Sequence, residues 1–463
     1  MAERYDLLVR GARVCGPEDW GEVDLGIRQG RVAALGELGR AEAAETVDAR
    51  GLVALPGLID PHMHIALPLA GTVTRNDFYT GTVAAARSGI TTIVDFADQQ
   101  RGQLPSAALA AREAAAAGQA VIDYLFTVTL TSGDEETLAE VPRLAKRGVR
   151  SFKLYTIYRE AGLMLEDRAL LACLEAVAGS NRLATVHAES APMVEMLTEK
   201  FLRAGCTEGR YYIRTKPDLV EEEAIRRVLA MCELVGARVY VRHLSSARGL
   251  RVLREARGRG LPVFVETGPH YLTLDQSLYE RPDGHRFIVH PPLRTPSDQE
   301  ALWRGIADGT VDCLGSDHCA LDTSQKDAAP DFAHVPGGLP GADLLLPLLY
   351  THGVEEGRID LPRLAEVSST GAARAFGLYP RKGTLRPGAD ADLVLLDPRL
   401  KRRVDPAELP SGLDWSPWEG WVLKGWPRLV VSRGEVIVRD DEFVGRAGRG
   451  LYLAAPEGRE EGR

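Results

Sequence analysis

Hydrophobic and polar positions repeat at two different periods along this chain, and the change of period divides it. Near the start, Tyr5-Asp-Leu-Leu-Val-Arg and Val23-Asp-Leu-Gly-Ile-Arg carry β-type residues, with Gly-Arg pairs marking turns. Arg31-Val-Ala-Ala-Leu-Gly and Glu45-Thr-Val-Asp-Ala continue the pattern. A matching set returns near the other end, in Asp392-Leu-Val-Leu-Leu-Asp, Arg428-Leu-Val-Val-Ser-Arg-Gly and Glu435-Val-Ile-Val-Arg. The two ends together predict one small composite β-domain, from residues 1–55 and 384–450, followed by a charged tail over 451–463 whose last residues, from Pro456, are expected to fray.

Between these ends, over residues 56–383, short β-branched runs alternate with helical stretches, which is the signature of repeated βα units. The predicted strands are Leu52 to Ile59, Thr91 to Phe96, Val121 to Thr127, Ser151 to Tyr155, Leu183 to His187, Val239 to His243, Pro262 to Thr267 and Asp312 to Asp317. Predicted helices include Phe78 to Ser88, Leu138 to Arg147, Glu166 to Ala178, Glu221 to Val235 and Asp298 to Asp308. The expected fold class is therefore α/β, a (β/α)8 TIM-like barrel. An open doubly wound sheet is the competing architecture, but it calls for a Gly-rich phosphate loop after its first strand, and none stands there.

Composition narrows the function classes. The formal charge of −9 argues against a nucleic-acid partner, which needs a basic surface. No apolar run is long enough for a membrane span, and Met1-Ala-Glu-Arg-Tyr-Asp has no apolar signal core, so the expectation is a soluble, cytoplasmic protein without membrane contact. Cys15, Cys173, Cys206, Cys232, Cys313 and Cys319 form no CxxC pair and are expected to stay thiols.

The sharpest chemical signal is Asp60-Pro-His62-Met-His64. In extended backbone, side chains two apart face the same way, so two imidazoles can grip one ion. Alone, the pair is matched by a bland alternative, a surface turn with two polar histidines. The companions change that balance. Lys153 lies on the fourth predicted strand, His187 ends the fifth, His243 the sixth and Asp317 the eighth. All six groups thus fall at C-terminal strand ends, where a (β/α)8 barrel builds its active site. Four histidines and a carboxylate suit zinc or a similar divalent ion. A lysine among them is unexpected, because an ammonium beside dications is driven to lose its proton. The neutral amine can then take up carbon dioxide as a carbamate, a carboxylate able to bridge two metals. An ordinary lysine reaching solvent is the alternative at this stage.

This combination resembles the amidohydrolase superfamily, and within it the dihydropyrimidinase/D-hydantoinase branch, over roughly residues 4 to 450. The resemblance implies a two-metal barrel with a β-sandwich from both termini, and a homotetramer or homodimer. It implies His62 and His64 as ligands of the more buried metal, His187 and His243 of the more exposed one, and Lys153 as a bridging N6-carboxylysine. Asp317 is implied as both ligand and catalytic acid/base, and Tyr158 as a catalytic, substrate-binding tyrosine. The implied cofactors are two divalent ions, most simply Zn2+, with carbon dioxide as the source of the carbamate. The implied reaction is attack by a metal-bridging hydroxide on a small cyclic amide, opening hydantoins or dihydropyrimidines to N-carbamoyl amino acids. Gly71-Thr-Val-Thr-Arg-Asn-Asp-Phe, Val94-Asp-Phe-Ala, Glu266-Thr-Gly-Pro-His-Tyr-Leu and Pro291-Pro-Leu-Arg also resemble that branch.

Three positions depart from the branch pattern. His290 replaces the usual Ser before Pro-Pro-Leu-Arg, and Pro336-Gly337-Gly338 replaces Pro-Asn-Gly. Both His290 and Gly337 are expected at the substrate ring. Ala66 stands where dihydroorotases carry Arg, which counts against dihydroorotate. Leu344-Leu-Leu-Pro-Leu-Leu-Tyr-Thr-His-Gly looks more like allantoinases, so allantoin or another cyclic ureide or imide is the alternative substrate. A non-catalytic, dihydropyrimidinase-like assembly protein is the alternative from another class; it predicts missing ligands, and none is missing. The loop of residues 65–76, with Tyr155, Tyr158 and Leu163, is expected over the substrate. Trp415, Trp418, Trp421 and Trp426 are read as packing the C-terminal segment or a subunit contact.

Overall fold

A computed structural model describes residues 4–455, so the expected fraying of Pro456 to Arg463 falls outside the described residues. Eight strands run parallel in chain order: β1 (Leu58–Asp60), β2 (Ile90–Ala97), β3 (Asp123–Thr129), β4 (Ser151–Tyr155), β5 (Leu183–His187), β6 (Val239–Val241), β7 (Val263–Thr267) and β8 (Cys313–Leu314). Helices cross between them, among them Phe78–Arg87, Pro105–Ala116, Glu135–Lys146, Asp167–Gly179, Asp218–Val235, Ala247–Gly258 and Pro296–Ala307. The strands are buried on both faces, which is why their sequences read as nearly unbroken apolar runs rather than alternating ones.

The barrel is nearly closed, and its last joint is unusual. Between β1 and β8 the link is made just beyond the strands, where Met63–His64 pairs in parallel with His318–Cys319. The buried Asp60 carboxylate adds a stitch, accepting from the backbone N–H of Ser316 at 2.9 Å and of His62 at 3.1 Å. Gly315 permits the approach, since a Cβ there would lie 2.8 Å from the His62 Cβ and 2.9 Å from the Glu266 carboxyl carbon.

Both ends of the chain combine in a nine-stranded mixed sheet, with Leu393–Arg403 and Val422–Ser432 antiparallel and Val53–Pro56 between Leu393–Arg403 and Arg4–Cys15. Its apolar side chains, including Leu7, Val9, Leu25, Ile27, Leu393 and Val431, form a core of their own. One expectation is corrected here. Leu52 to Ile59 is not a single barrel strand: Val53–Pro56 belongs to the terminal sheet, and only Leu58–Asp60 enters the barrel. Gly57 is the hinge, where a Cβ would sit 2.3 Å from the Thr91 hydroxyl.

The buried Lys382 ammonium fastens barrel to sheet, lying 2.8 Å from Asp123 of β3 and against Asp392 and Asp390. All six cysteines are free thiols. Trp415, Trp418 and Trp426 are buried in the main core, with their indole N–H groups donating to Leu321 O, Thr273 Oγ1 and Leu423 O. Among the described residues, no helix is long and apolar enough to cross a membrane.

Candidate functional site

The C-terminal ends of the strands converge on one buried polar cluster. Nε2 of His62 lies 3.1 Å, and Nε2 of His64 3.4 Å, from Oδ1 of Asp317. One ligand atom from each of the three falls within 4.8 Å of the others. The His243 ring stands 5.4 Å from that of His62 and 4.4 Å from that of His187. Tyr158 Oη lies 3.4 Å from His187 Nε2. Lys153 Nζ sits 4.9 Å from the Phe96 ring centroid, and that ring packs 5.0 Å from His62 and 4.8 Å from His64. Thus His62, His64, Lys153, His187, His243, Asp317 and Tyr158 all meet around one volume.

The backbone is bent to achieve this. His243, Asp317 and Tyr158 have φ of +38°, +48° and +72°, a region costly for residues with a side chain and concentrated at functional sites. Each follows the end of its strand, so the turn redirects a side chain that an extended backbone would point elsewhere. His318, next after Asp317, faces away: its Nδ1 accepts from the N–H groups of Gly341 and Ala342.

Burial sets the protonation states. It pushes the imidazoles of His62 and His243 well below the usual histidine range, and that of His187 down as well. Burial, reinforced by the Arg242 charge, brings the Lys153 ammonium down to about 7. Burial alone would raise Asp317, but the facing imidazoles of His62 and His64, the latter hydrogen-bonded to it, hold it below the ordinary carboxylate range. The result is neutral imidazoles around an anionic carboxylate and a readily deprotonated amine.

This donor set fits divalent cations. His62 Nδ1 is engaged by Glu266 at 2.7 Å, leaving Nε2 toward the cluster. His187 Nε2 is engaged by Glu189 at 2.9 Å, leaving Nδ1. Nδ1 of His64 and Nδ1 of His243 are buried without a hydrogen-bond partner. Among the described residues, Lys153 Nζ has no carboxylate within ion-pair distance, and the more distant charges of Asp317, Glu266 and Asp98 offset only part of the cost of burying its charge.

Several residues of this surround carried no assigned role in the sequence reading. Glu266, at the end of β7, accepts from His62 Nδ1, the His243 N–H at 3.0 Å, Tyr240 Oη at 2.7 Å and Arg242 at 3.2 Å. An acidic residue closing the apolar run Val263-Phe-Val was the available signal. Glu189 joins His187 to Lys216, whose Nζ lies 2.7 Å from Oε2. His270 is fully buried, with both ring nitrogens unpartnered. His285, His334 and His352 pair with Asp327, Asp331 and Glu356 away from the cluster.

The expected substrate-side residues lie beside Tyr158. The His290 ring is 5.7 Å from that of Tyr158, and Gly337 lies directly under it. The 65–76 loop carries the small hairpin Pro68–Leu69/Thr72–Val73, held by Gln325 through Thr72 Oγ1 and Val73 O.

Comparison with known proteins places the chain in a family. Residues 53–437 match the model of the amidohydrolase family. The chain is 38% identical over 451 residues to the D-hydantoinase of Geobacillus stearothermophilus, covering 96% of each chain. It is 38% identical over 456 residues to the D-phenylhydantoinase of Escherichia coli O1:K1 / APEC, covering 96% of this chain and 97% of that one. The crystal structure of dihydropyrimidinase from Brevibacillus agri NCHU1002 superposes with a TM-score of 0.95 at 37% identity, over 98% of this chain and 99% of that one.

Proposed function

The chain belongs to the amidohydrolase family, and from that premise we propose that it hydrolyses a cyclic amide, opening hydantoin- or dihydropyrimidine-type rings to N-carbamoyl amino acids. Family membership implies a binuclear divalent-metal site. The observation that carries the reading is the meeting of His62, His64, Lys153, His187, His243 and Asp317 from distant segments around one buried volume beside Tyr158.

In this reading His62 and His64 would hold one cation and His187 and His243 the other, and Lys153, as a carbamate formed from carbon dioxide, would serve as an anionic ligand to the pair. Zinc suits these nitrogen and oxygen donors. When bound, the cation pair supplies Lewis acidity, acidifying water toward a pKa of about 7 and polarising a carbonyl. Asp317 accepts the proton from attacking water at its carboxylate and passes it to the departing ring nitrogen, which prevents expulsion of an amide anion. Tyr158, whose hydroxyl burial keeps protonated far above neutral pH, donates to the ring carbonyl oxygen as negative charge builds there. His290 and Gly337 border the ring.

A homotetramer or homodimer is part of the same proposal. The helix Ala191–Arg203 supports it: Ala191 is its one buried residue, and Met193, Val194, Leu197 and Phe201 are only half-buried, with Met196 exposed. Cytoplasmic residence is also proposed, from the reduced state of all six cysteines.

The test is a panel of hydantoin, 5-substituted hydantoins, dihydrouracil, allantoin and dihydroorotate, run on zinc-replete and chelator-stripped protein. Metal-dependent opening of a hydantoin or dihydrouracil is expected, with Asp317→Ala folded but slower by roughly 10²–10⁴-fold. Near-normal turnover by Asp317→Ala, or activity on allantoin alone, contradicts the reading.

A further inference from the structure

Resting on the function proposed above, we propose that His290 and Gly337 act as one matched pair that sets substrate choice. In this pair the imidazole occupies the space a side chain at 337 would fill and offers Nε2 to a polar group on the substrate beyond the amide that is cleaved.

Three observations carry this. First, a Cβ on Gly337 would lie 2.2 Å from His290 Nε2 and 2.3 Å from Cδ2, so the two positions compete for one volume. Second, neither partner is free to retreat. The Lys326 ammonium donates to the carbonyls of Ile288 and Pro336, both at 3.1 Å, and the N–H of Gly338 donates to Ile288 O at 3.0 Å. The strands of backbone carrying residues 290 and 337 are thereby stitched together. Third, the ring is oriented from behind. Nδ1 of His290 faces Tyr212 Oη at 2.5 Å and Lys216 Nζ at 3.4 Å, while Lys216 is anchored by Glu189, the carboxylate that also holds His187. With Nδ1 engaged, Nε2 is left as the other hydrogen-bonding atom, against Gly337 in a ring whose centroid is 5.7 Å from that of Tyr158.

A site that presents such an atom loses a hydrogen bond when the substrate carries hydrocarbon in its place, and discriminates against it accordingly. The favoured class is therefore a cyclic ureide or imide with a hydrogen-bonding substituent, over the hydrocarbon substituent of the same size.

The test compares kcat/KM for allantoin, with its ureido group, against 5-isobutylhydantoin, in the wild type, His290→Ala, His290→Asn, Gly337→Ala and His290→Ala/Gly337→Ala, all zinc-replete. Comparing ratios between proteins cancels the intrinsic reactivity of each ring. The polar-over-apolar ratio is expected to fall by about tenfold in His290→Ala. It should fall equally in His290→Asn, which keeps a group at the Nδ1 position and lacks one at Nε2. Gly337→Ala should depress kcat/KM alone and change it by no more than about twofold once His290 is Ala. Should Gly337→Ala fail to fold, recovery of the double variant is the same signature. An unchanged ratio in His290→Ala, or additive effects at the two positions, overturns the pair while leaving ring hydrolysis intact. Absence of turnover on any ring by the wild type overturns the proposed function and the pair with it.

Discussion

Glu266→Gln isolates the contribution of a group that acts through the residues it holds. The carboxylate is fully buried and accepts from His62 Nδ1, the His243 N–H, Tyr240 and Arg242. The amide keeps the shape and one acceptor but loses the charge, and its NH2 must face donors. Two costs follow. His62 loses the anion that fixes its tautomer, a charge-assisted bond worth about 1.5–3 kcal/mol. That figure agrees with the roughly 10–100-fold loss of metal affinity usual when such a supporting carboxylate is removed. Arg242, also fully buried, loses its ion-pair partner, and breaking such a pair costs about 3–5 kcal/mol. Arg242 still donates to the Pro61 carbonyl at 2.6 Å, which places the stability loss toward the lower end. Zinc affinity measured by chelator competition, alongside a denaturant unfolding curve of the stripped protein, separates the two costs. Zinc held as tightly as in the wild type would refute the assignment of Glu266 as the group that orients His62.

Lys153→Ala should bind fewer metal ions per chain than the wild type by elemental analysis, and an unchanged content contradicts its bridging role. Lys326→Met should flatten the pH dependence of stability. Burial pushes the Lys326 ammonium down to about 7, whereas an unfolded lysine titrates near about 10.4. Between those values the unfolded chain binds more protons, so this residue makes stability rise with pH by up to about 1.4 kcal/mol per unit; denaturant midpoints of variant and wild type at pH 7 and pH 9 check it. Lys382→Met removes the cation shared by the buried carboxylates of Asp123, Asp390 and Asp392, leaving Asp123 with Arg433 and Asp390 with Arg381 but Asp392 without an ion-pair partner among the described residues, and should cost about 3–5 kcal/mol in an unfolding curve.

Much of the fold was legible because strands buried on both faces leave a simple mark. Ser151–Tyr155 and Leu183–His187 have the bounds expected from their apolar runs. Leu52 to Ile59 misled for the same reason: an unbroken apolar run does not reveal that Pro56 and Gly57 pass it from one sheet to another. Asp312 to Asp317 shortened to Cys313–Leu314 because the Asp317 turn leaves the ladder early. The metal-ligand candidates were legible as polar residues at strand ends. Glu189 and Lys216 were not, since their pairing joins the loop after β5 to a bend between two helices 27 residues on, and no local period records it. The fit of His290 over Gly337 was equally hidden, because the absence of a side chain signals nothing until its neighbour is seen.

The joint between β1 and β8 has a consequence for how such a molecule can change. The residues that complete the hoop, Met63–His64 and His318–Cys319, flank or include the groups gathered around the reaction centre. His64 belongs to both the clasp and the candidate metal cluster, so in the proposed reading a captured cation would also fasten the ring shut. A substitution at His64 would therefore be felt twice, once in the proposed chemistry and once in the closing of the barrel.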